Sequence, residues 1–347
     1  MPFSRAMHDL PMPDLPVSER AALRAEFVRS AGWADAAESL LAGDASFRTY
    51  YRLIRPGSTS VVMDAPPPHE DVRPFVRIAR HLLALGLSPP EILAEDTGRG
   101  FLLIEDLGDD TFARVLSQGG DELTLYARAA DTLAALHNAG PQALLPGLTA
   151  YAGEALIEAA MLLPEWYLPA ATGRPATPEA VADYRAAWLA SLAHMPPHAE
   201  TLLLRDFHKD NLIWLPERPG VRACGLLDFQ DAQRGHPAYD LVSLIEDARR
   251  DIAPAVYSAV LDRYLVQAGI GDRRAFDTAF HLLGAQRHAR VIGLFVRLLQ
   301  RDGKPDYLPH LPRVWRLFDR ALDHEALAPL RAWVARHLPP RQRLVGA

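Results

Sequence analysis

Residues 201–231, TLLLRDFHKDNLIWLPERPGVRACGLLDFQD, set both the fold and the chemistry of this chain. The apolar run 202–204 delivers Asp206, and Asn211 follows five residues later. A second apolar run, 224–227, delivers Asp228. Short apolar runs separated by a turn signal, here Arg218-Pro219-Gly220, read as buried strands. One carboxylate can receive a hydroxyl proton, while an amide oxygen and a second carboxylate can hold Mg²⁺. That donor set suits phosphoryl transfer, in which a protein mainly positions groups and neutralises charge. Asp-x-x-x-x-Asn alone also arises in capped turns and exposed loops. The further Asp, seventeen residues after Asn211, makes the pattern specific. So does the scarcity of asparagine, which occurs only at 138 and 211.

Outward from this segment the chain changes character. Before residue 105 it alternates helix and strand signals: a helix from Ser18 to about Ser30, and strands near 37–41, 50–54, 60–63, 92–94 and 100–104. Residues 71–85 form an amphipathic helix with Phe75, Ile78, Leu82 and Leu85 on one face. After Gly108 the spacing predicts helices over 111–116, 122–138, 152–162, 178–193, 238–248, 254–267, 273–300 and 311–322. Proline-rich stretches at 164–178 and 304–312 read as loops.

Composition narrows the function. The chain has 347 residues, 49% of them apolar, and a net charge of −6, which disfavours a nucleic-acid or anionic-membrane surface. No apolar run is long enough for a membrane span, and the N-terminal Pro and Asp do not suit a signal peptide. A single Cys224 fits a reducing cytoplasm and reads as a buried small hydrophobe. Lysine occurs only at 209 and 304.

The motif RDFHKDN…LLDFQDA resembles the catalytic and metal segments of the aminoglycoside phosphotransferase and choline kinase-like family, whose pattern is His-Gly-Asp-x-His-x-x-Asn followed by Ile-Asp-Phe/Trp. The resemblance implies an α+β, bilobal protein-kinase-like fold. A small N-lobe with an antiparallel sheet (1–104) would lead through a hinge (105–108) into a mostly helical C-lobe (109–347). That C-lobe would carry a catalytic loop at 204–211 and the metal Asp segment at 225–231. ATP and Mg²⁺ are the implied cofactors. Asp206 matches the catalytic Asp, His208 the following His, and Asn211 and Asp228 the metal residues. His208 is either a phosphate or supporting contact or an ordinary loop histidine. Asp240 matches a family Asp and reads more simply as a helix N-cap. Lys209 either meets phosphate or, more simply, is a solvated loop lysine. Arg205 stands where the family has Gly and either meets phosphate or pairs nearby.

The same resemblance places a nucleotide-covering loop at 43–50, where the backbone of Ser46 and Phe47 could bind phosphate, and adenine-facing backbone at Glu105 and Leu107. The family strand that usually ends in a phosphate-pairing Lys here ends Met63-Asp64. Either an arginine (Arg48, Arg52, Arg77 or Arg80) takes that role, or nucleotide binding is weak or lost; a catalytically inactive pseudokinase binding module is the alternative class. Only about ten residues separate Asp228 from the next helix, too few for a peptide platform, so a small-molecule acceptor is expected.

Ser46-Phe-Arg-Thr-Tyr-Tyr-Arg, Met63-Asp-Ala-Pro-Pro and Gln286-Arg-His-Ala-Arg look like bacterial anomeric amino-sugar kinases of peptidoglycan recycling. These phosphorylate C1 of N-acetylmuramate and N-acetylglucosamine, and Met-Asp-Ala-Pro-Pro belongs to their pattern. The alternative acceptor is another small alcohol such as an aminoglycoside, choline or homoserine. Trp166 and Tyr167 are either sugar-stacking aromatics or core. Arg287 and Arg290, three apart on one helix face, either meet a lactyl carboxylate or form a solvated basic face.

Overall fold

The computed structural model describes residues 17–43 and 47–343. The backbone forms two compact units, one comprising the chain up to Asp109 together with Gly225–Asp231, the other comprising Asp110–Cys224 and the chain from Ala232 onward.

In the first unit, helix α1 (Val17–Ser30) precedes strands β1 (Ala37–Gly43), β2 (Thr49–Arg55) and β3 (Ser58–Asp64). Helix α2 (Arg73–Ala84) then leads to β4 (Ile92–Asp96) and β5 (Phe101–Glu105). The sheet order is β1-β2-β3-β5-β4 and the described pairings are antiparallel. Pro56-Gly57 closes the β2–β3 hairpin. Proline pre-sets its own backbone angle, and Gly57 adopts φ +76°, the pattern of a type II turn. Phe27, Val28 and Trp33 pack on Leu53, Val62, Phe101 and Leu103 of one sheet face.

Asp64, on that same face by strand alternation, accepts from Arg20 (2.7 Å) and Arg24 (3.1 Å) of α1. Those guanidiniums lie 3.8 Å over the Phe101 ring and 3.6 Å over the Tyr51 ring. Segment 225–231, expected with the helical lobe, packs in this first unit. The Leu226 N–H donates to Ser88 O (2.9 Å), and the buried Phe229 ring lies 4.8 Å from Phe75.

The second unit is mostly helical: α3 (Phe112–Ser117), α4 (Glu122–Asn138), α5 (Glu154–Ala160), α6 (Leu168–Thr172) and α7 (Pro178–Leu192). It continues with short strands β6 (Thr201–Leu203) and β7 (Leu212–Trp214), and takes in the first residue of β8 (Cys224–Leu226). Strand β9 (Gln233–Gly235) and helices α8 (Ala238–Ile245), α9 (Pro254–Gln267), α10 (Arg273–Asp302), α11 (Leu311–Leu322) and α12 (Ala328–His337) complete it.

Asp272 caps α10 by accepting from the Ala275 N–H (2.9 Å), and Gly303 ends the helix at φ +64°. Of the stretch 164–178 expected as a loop, 164–172 is helical and only 173–177 is a loop. Leu163–Tyr167 makes a π turn that runs into α6, with its prolines in first turns, where a missing N–H costs nothing. Pro305–His310 is likewise a 3₁₀ turn. At Gly293 a Cβ would sit 2.2 Å from the Leu162 carbonyl carbon, so glycine alone permits this approach of α10 to the π turn. Ile157, Leu163, Tyr167, Tyr184, Trp188, Phe295, Phe318 and Trp333 form the main core here. Among the described residues no helix is long and apolar enough to cross a membrane.

Candidate active site

Strand β6 is fully buried and pairs antiparallel with β9, fixing the start of the catalytic segment. Arg205 then adopts φ +68°, a left-handed conformation that L side chains rarely take. The peptide groups around it are held on both sides. Asp240, wholly buried in the first turn of α8, accepts from the N–H of Leu204 (2.6 Å) and of Arg205 (2.8 Å). The Ser243 hydroxyl (3.2 Å) and Arg287 Nη1 (3.3 Å) donate to the Arg205 carbonyl. Asp240 is therefore not the N-cap expected from its position in sequence; it pins a distant loop. Burial lifts its carboxyl to about 7, against the pull of the two N–H donors.

The loop closes on itself after Asp206. The Asp206 carbonyl accepts from the His208 N–H (3.1 Å) and from Asn211 Nδ2 (2.9 Å). This bond fixes the Asn211 amide so that its oxygen is the atom suited to a hard cation. The Asp206 side chain is 37% exposed and lies 3.6 Å from Arg287 Nη1. Burial pushes its carboxyl up, but Arg287 and Arg290, with smaller help from His208 and Arg205, outweigh that and hold it below the usual carboxylate range. Asp206 is thus ionised at neutral pH and reachable.

Around it the expected residues divide. His208 is buried, and burial lowers its imidazole to about 4, so it is neutral at pH 7. Lys209 is not solvated: it is buried and bonds Asp210 (2.8 and 2.9 Å), with Asp247 at 3.8 Å. Arg287 is buried beside Asp206 and Arg290 is half-buried, so neither belongs to a solvated face. Tyr167 is core: its ring packs 5.2 Å from Trp315 and its hydroxyl donates to the Arg343 carbonyl. Trp166 packs half-buried against the same core.

In the first unit Asp228 also adopts a left-handed conformation, φ +56°, and its Oδ1 accepts from Gln230 Nε2 (2.7 Å). Arg52 is bound to Asp106 (2.8 Å) and Asp109 (2.8 Å), and Arg48 lies 3.6 Å from Glu70. The Phe47 N–H donates to Glu70 (3.3 Å), while its exposed ring lies 4.5 Å from His69. Ser46 lies outside the described residues. The Glu105 N–H already donates to Glu91 O (2.8 Å) rather than facing a ligand. Leu107 lies in the coil after β5. Asp64 does not face phosphates unpaired, because two arginines of α1 neutralise it. Tyr151, Tyr239 and Ser243 were not evident from the sequence. Their roles depend on contacts across long separations, and no local motif marks them.

A profile of the phosphotransferase enzyme family matches residues 37–277. The chain is 39% identical to an N-acetylmuramate/N-acetylglucosamine kinase of Caulobacter vibrioides, covering 94% of this chain and 99% of that protein. A protein of the same name from Pseudomonas aeruginosa is 37% identical, over 84% of this chain and 86% of its own length. Among solved structures, the fold is similar to a choline/ethanolamine kinase family protein from Mesorhizobium loti (TM-score 0.61, 16% identity, 91% of this chain and 99% of that one). It is also similar to a putative aminoglycoside phosphotransferase from Ralstonia eutropha (TM-score 0.59, 17% identity, 84% and 92%). A family match over most of the chain, joined to an ionised Asp206 on a pinned loop, leaves one assignment: the chain belongs to the phosphotransferase enzyme family and is a kinase with a hydroxyl acceptor.

Proposed function

We propose that the chain transfers the γ-phosphoryl group of ATP to the anomeric C1 hydroxyl of N-acetylmuramate or N-acetylglucosamine, in the cytoplasm, as a step of cell-wall recycling. The observation that carries this reading is Asp206, a partly exposed carboxylate kept ionised by arginines, in a chain 39% identical to a kinase named for those two sugars. In the reaction the C1 oxygen bonds to the γ-phosphorus and the bond from that phosphorus to the β–γ bridging oxygen breaks. ADP leaves and the proton of the C1 hydroxyl passes to Asp206. An anomeric hydroxyl is more acidic than an ordinary alcohol, so a weakly basic carboxylate can orient it and accept its proton late.

Asn211 and Asp228 are oxygen donors of the kind Mg²⁺ prefers and are the residues assigned to hold it. The ion would supply neutralisation of the phosphate charge. Asp240 and the Arg205 peptide keep Asp206 in place, and Arg287 keeps it ionised.

The test is ADP release with Mg·ATP against N-acetylmuramate, N-acetylglucosamine, kanamycin and choline, with the phosphate located by NMR. Turnover of the amino sugars with phosphate on C1 is expected. Turnover of kanamycin or choline alone, or phosphate on another oxygen, overturns the assignment. Nucleotide binding without turnover of any acceptor would mark a pseudokinase.

A further inference from the structure

Arg287 and Arg290 share a face of α10, yet their surroundings separate their roles. Arg287 is committed: it pairs with Asp206 and donates to the Arg205 carbonyl. Arg290 has no carboxylate within ion-pair distance among the described residues, though it acts electrostatically on Asp206, Tyr151 and Tyr239. Arg205 is in the same position. Its guanidinium lies 4.6 Å over the Tyr151 ring, its Nε is buried without a hydrogen-bond partner, and no acid pairs with it among the described residues. The Tyr151 and Tyr239 rings stand edge to face, 5.0 Å apart, and the Arg287 guanidinium lies 5.8 Å from the Tyr239 ring.

The nearby Asp240 carboxylate is occupied by two backbone N–H groups. Three guanidiniums therefore act on one ionised carboxylate, Asp206, with Arg287 the one in direct contact. Cations removed from water are costly unless an anion accompanies them. A neutral acceptor would leave this surplus in place, whereas a carboxylate on the acceptor would offset it. Of the two sugars named for the Caulobacter vibrioides and Pseudomonas aeruginosa relatives, only N-acetylmuramate carries a carboxylate, on its lactyl ether.

We propose that Arg290 and Arg205, backed by Tyr151, form a carboxylate subsite for the acceptor, so that the enzyme favours acidic amino sugars over neutral ones. This inference rests on the functional reading above. A planar guanidinium matches a carboxylate with two parallel donors, which a lysine cannot reproduce.

The experiment measures kcat/KM for N-acetylmuramate, for its uncharged carboxamide and for N-acetylglucosamine, with wild-type protein and with Arg290→Gln and Arg205→Gln. Wild type is expected to favour N-acetylmuramate over the carboxamide by about ten-fold or more, the weight of one charge-assisted hydrogen bond. Either substitution should collapse that ratio toward one. Equal kcat/KM for the acid and the carboxamide on the wild type overturns the subsite even if the variants fail to fold. Equal proportional losses on all three sugars also overturn it, because the arginines would then serve the phosphoryl group or the loop. Turnover of none of the three by the wild type overturns the functional reading, and the subsite with it.

Discussion

Asp64 and Asp206 are both held by arginines, and the two arrangements differ in charge balance. In the first unit Arg20 and Arg24 meet Asp64, and Arg24 also pairs with Glu38 at 2.8 Å, so two cations face two carboxylates. Aromatic rings cover both guanidiniums, and the cluster joins α1 to the sheet. In the second unit Arg205, Arg287 and Arg290 act on Asp206, and the other nearby carboxylate, Asp240, is taken up by two backbone N–H groups. A balanced cluster is complete as folded and serves the scaffold. An unbalanced one is complete only when a ligand supplies the missing charge.

Three substitutions test this contrast, ordered by their effect on turnover. Asp206→Asn removes the proton acceptor and keeps the shape, so kcat should fall about 10²–10⁴-fold while nucleotide affinity is retained. Calorimetric titration with nucleotide and single-turnover ADP release check both parts, and an unchanged kcat would end the base assignment.

Arg287→Gln should lower kcat less and displace its pH profile. Because the Asp206 carboxyl is held low, its ionised form persists below the usual carboxylate range and the acid limb of kcat/KM lies there. With Arg287 gone that limb moves toward neutral pH. A limb that stays put or moves to more acid pH refutes the electrostatic role.

Asp64→Ala should barely change kcat at 25 °C. Leaving two part-buried guanidiniums without their shared partner should cost ~3 kcal/mol of stability, read as a lower midpoint in urea. A large loss of kcat with unchanged stability would place Asp64 in the chemistry instead.

Much of this was legible in the sequence because it is local. The helix spanning Glu122–Asn138 and the Pro254–Gln267 helix follow from apolar spacing, and the order Asp206, Asn211, Asp228 follows from two apolar runs. What was not legible depends on partners far along the chain. Asp240 looks like a cap by its place in α8, and only the fold brings it to the Leu204 and Arg205 amides, 36 and 35 residues away. Tyr167 follows Pro164 and looks loop-like, yet the π turn carries it into the core. Lys209 looks solvated because its sequence neighbours are polar, but Asp247 lies beside it in the fold. The Ala328–His337 helix was not anticipated.

The left-handed backbone of Arg205 sets thermal robustness against substrate choice. Glycine would relax this turn, recovering ~1 kcal/mol that an L side chain forfeits there. It would also delete one of the two guanidiniums assigned to the acceptor. A laboratory selection for heat resistance alone would therefore drift toward glycine at this position and return a sturdier catalyst with a blunted preference for acidic sugars. A selection for growth on such sugars would keep the strained arginine.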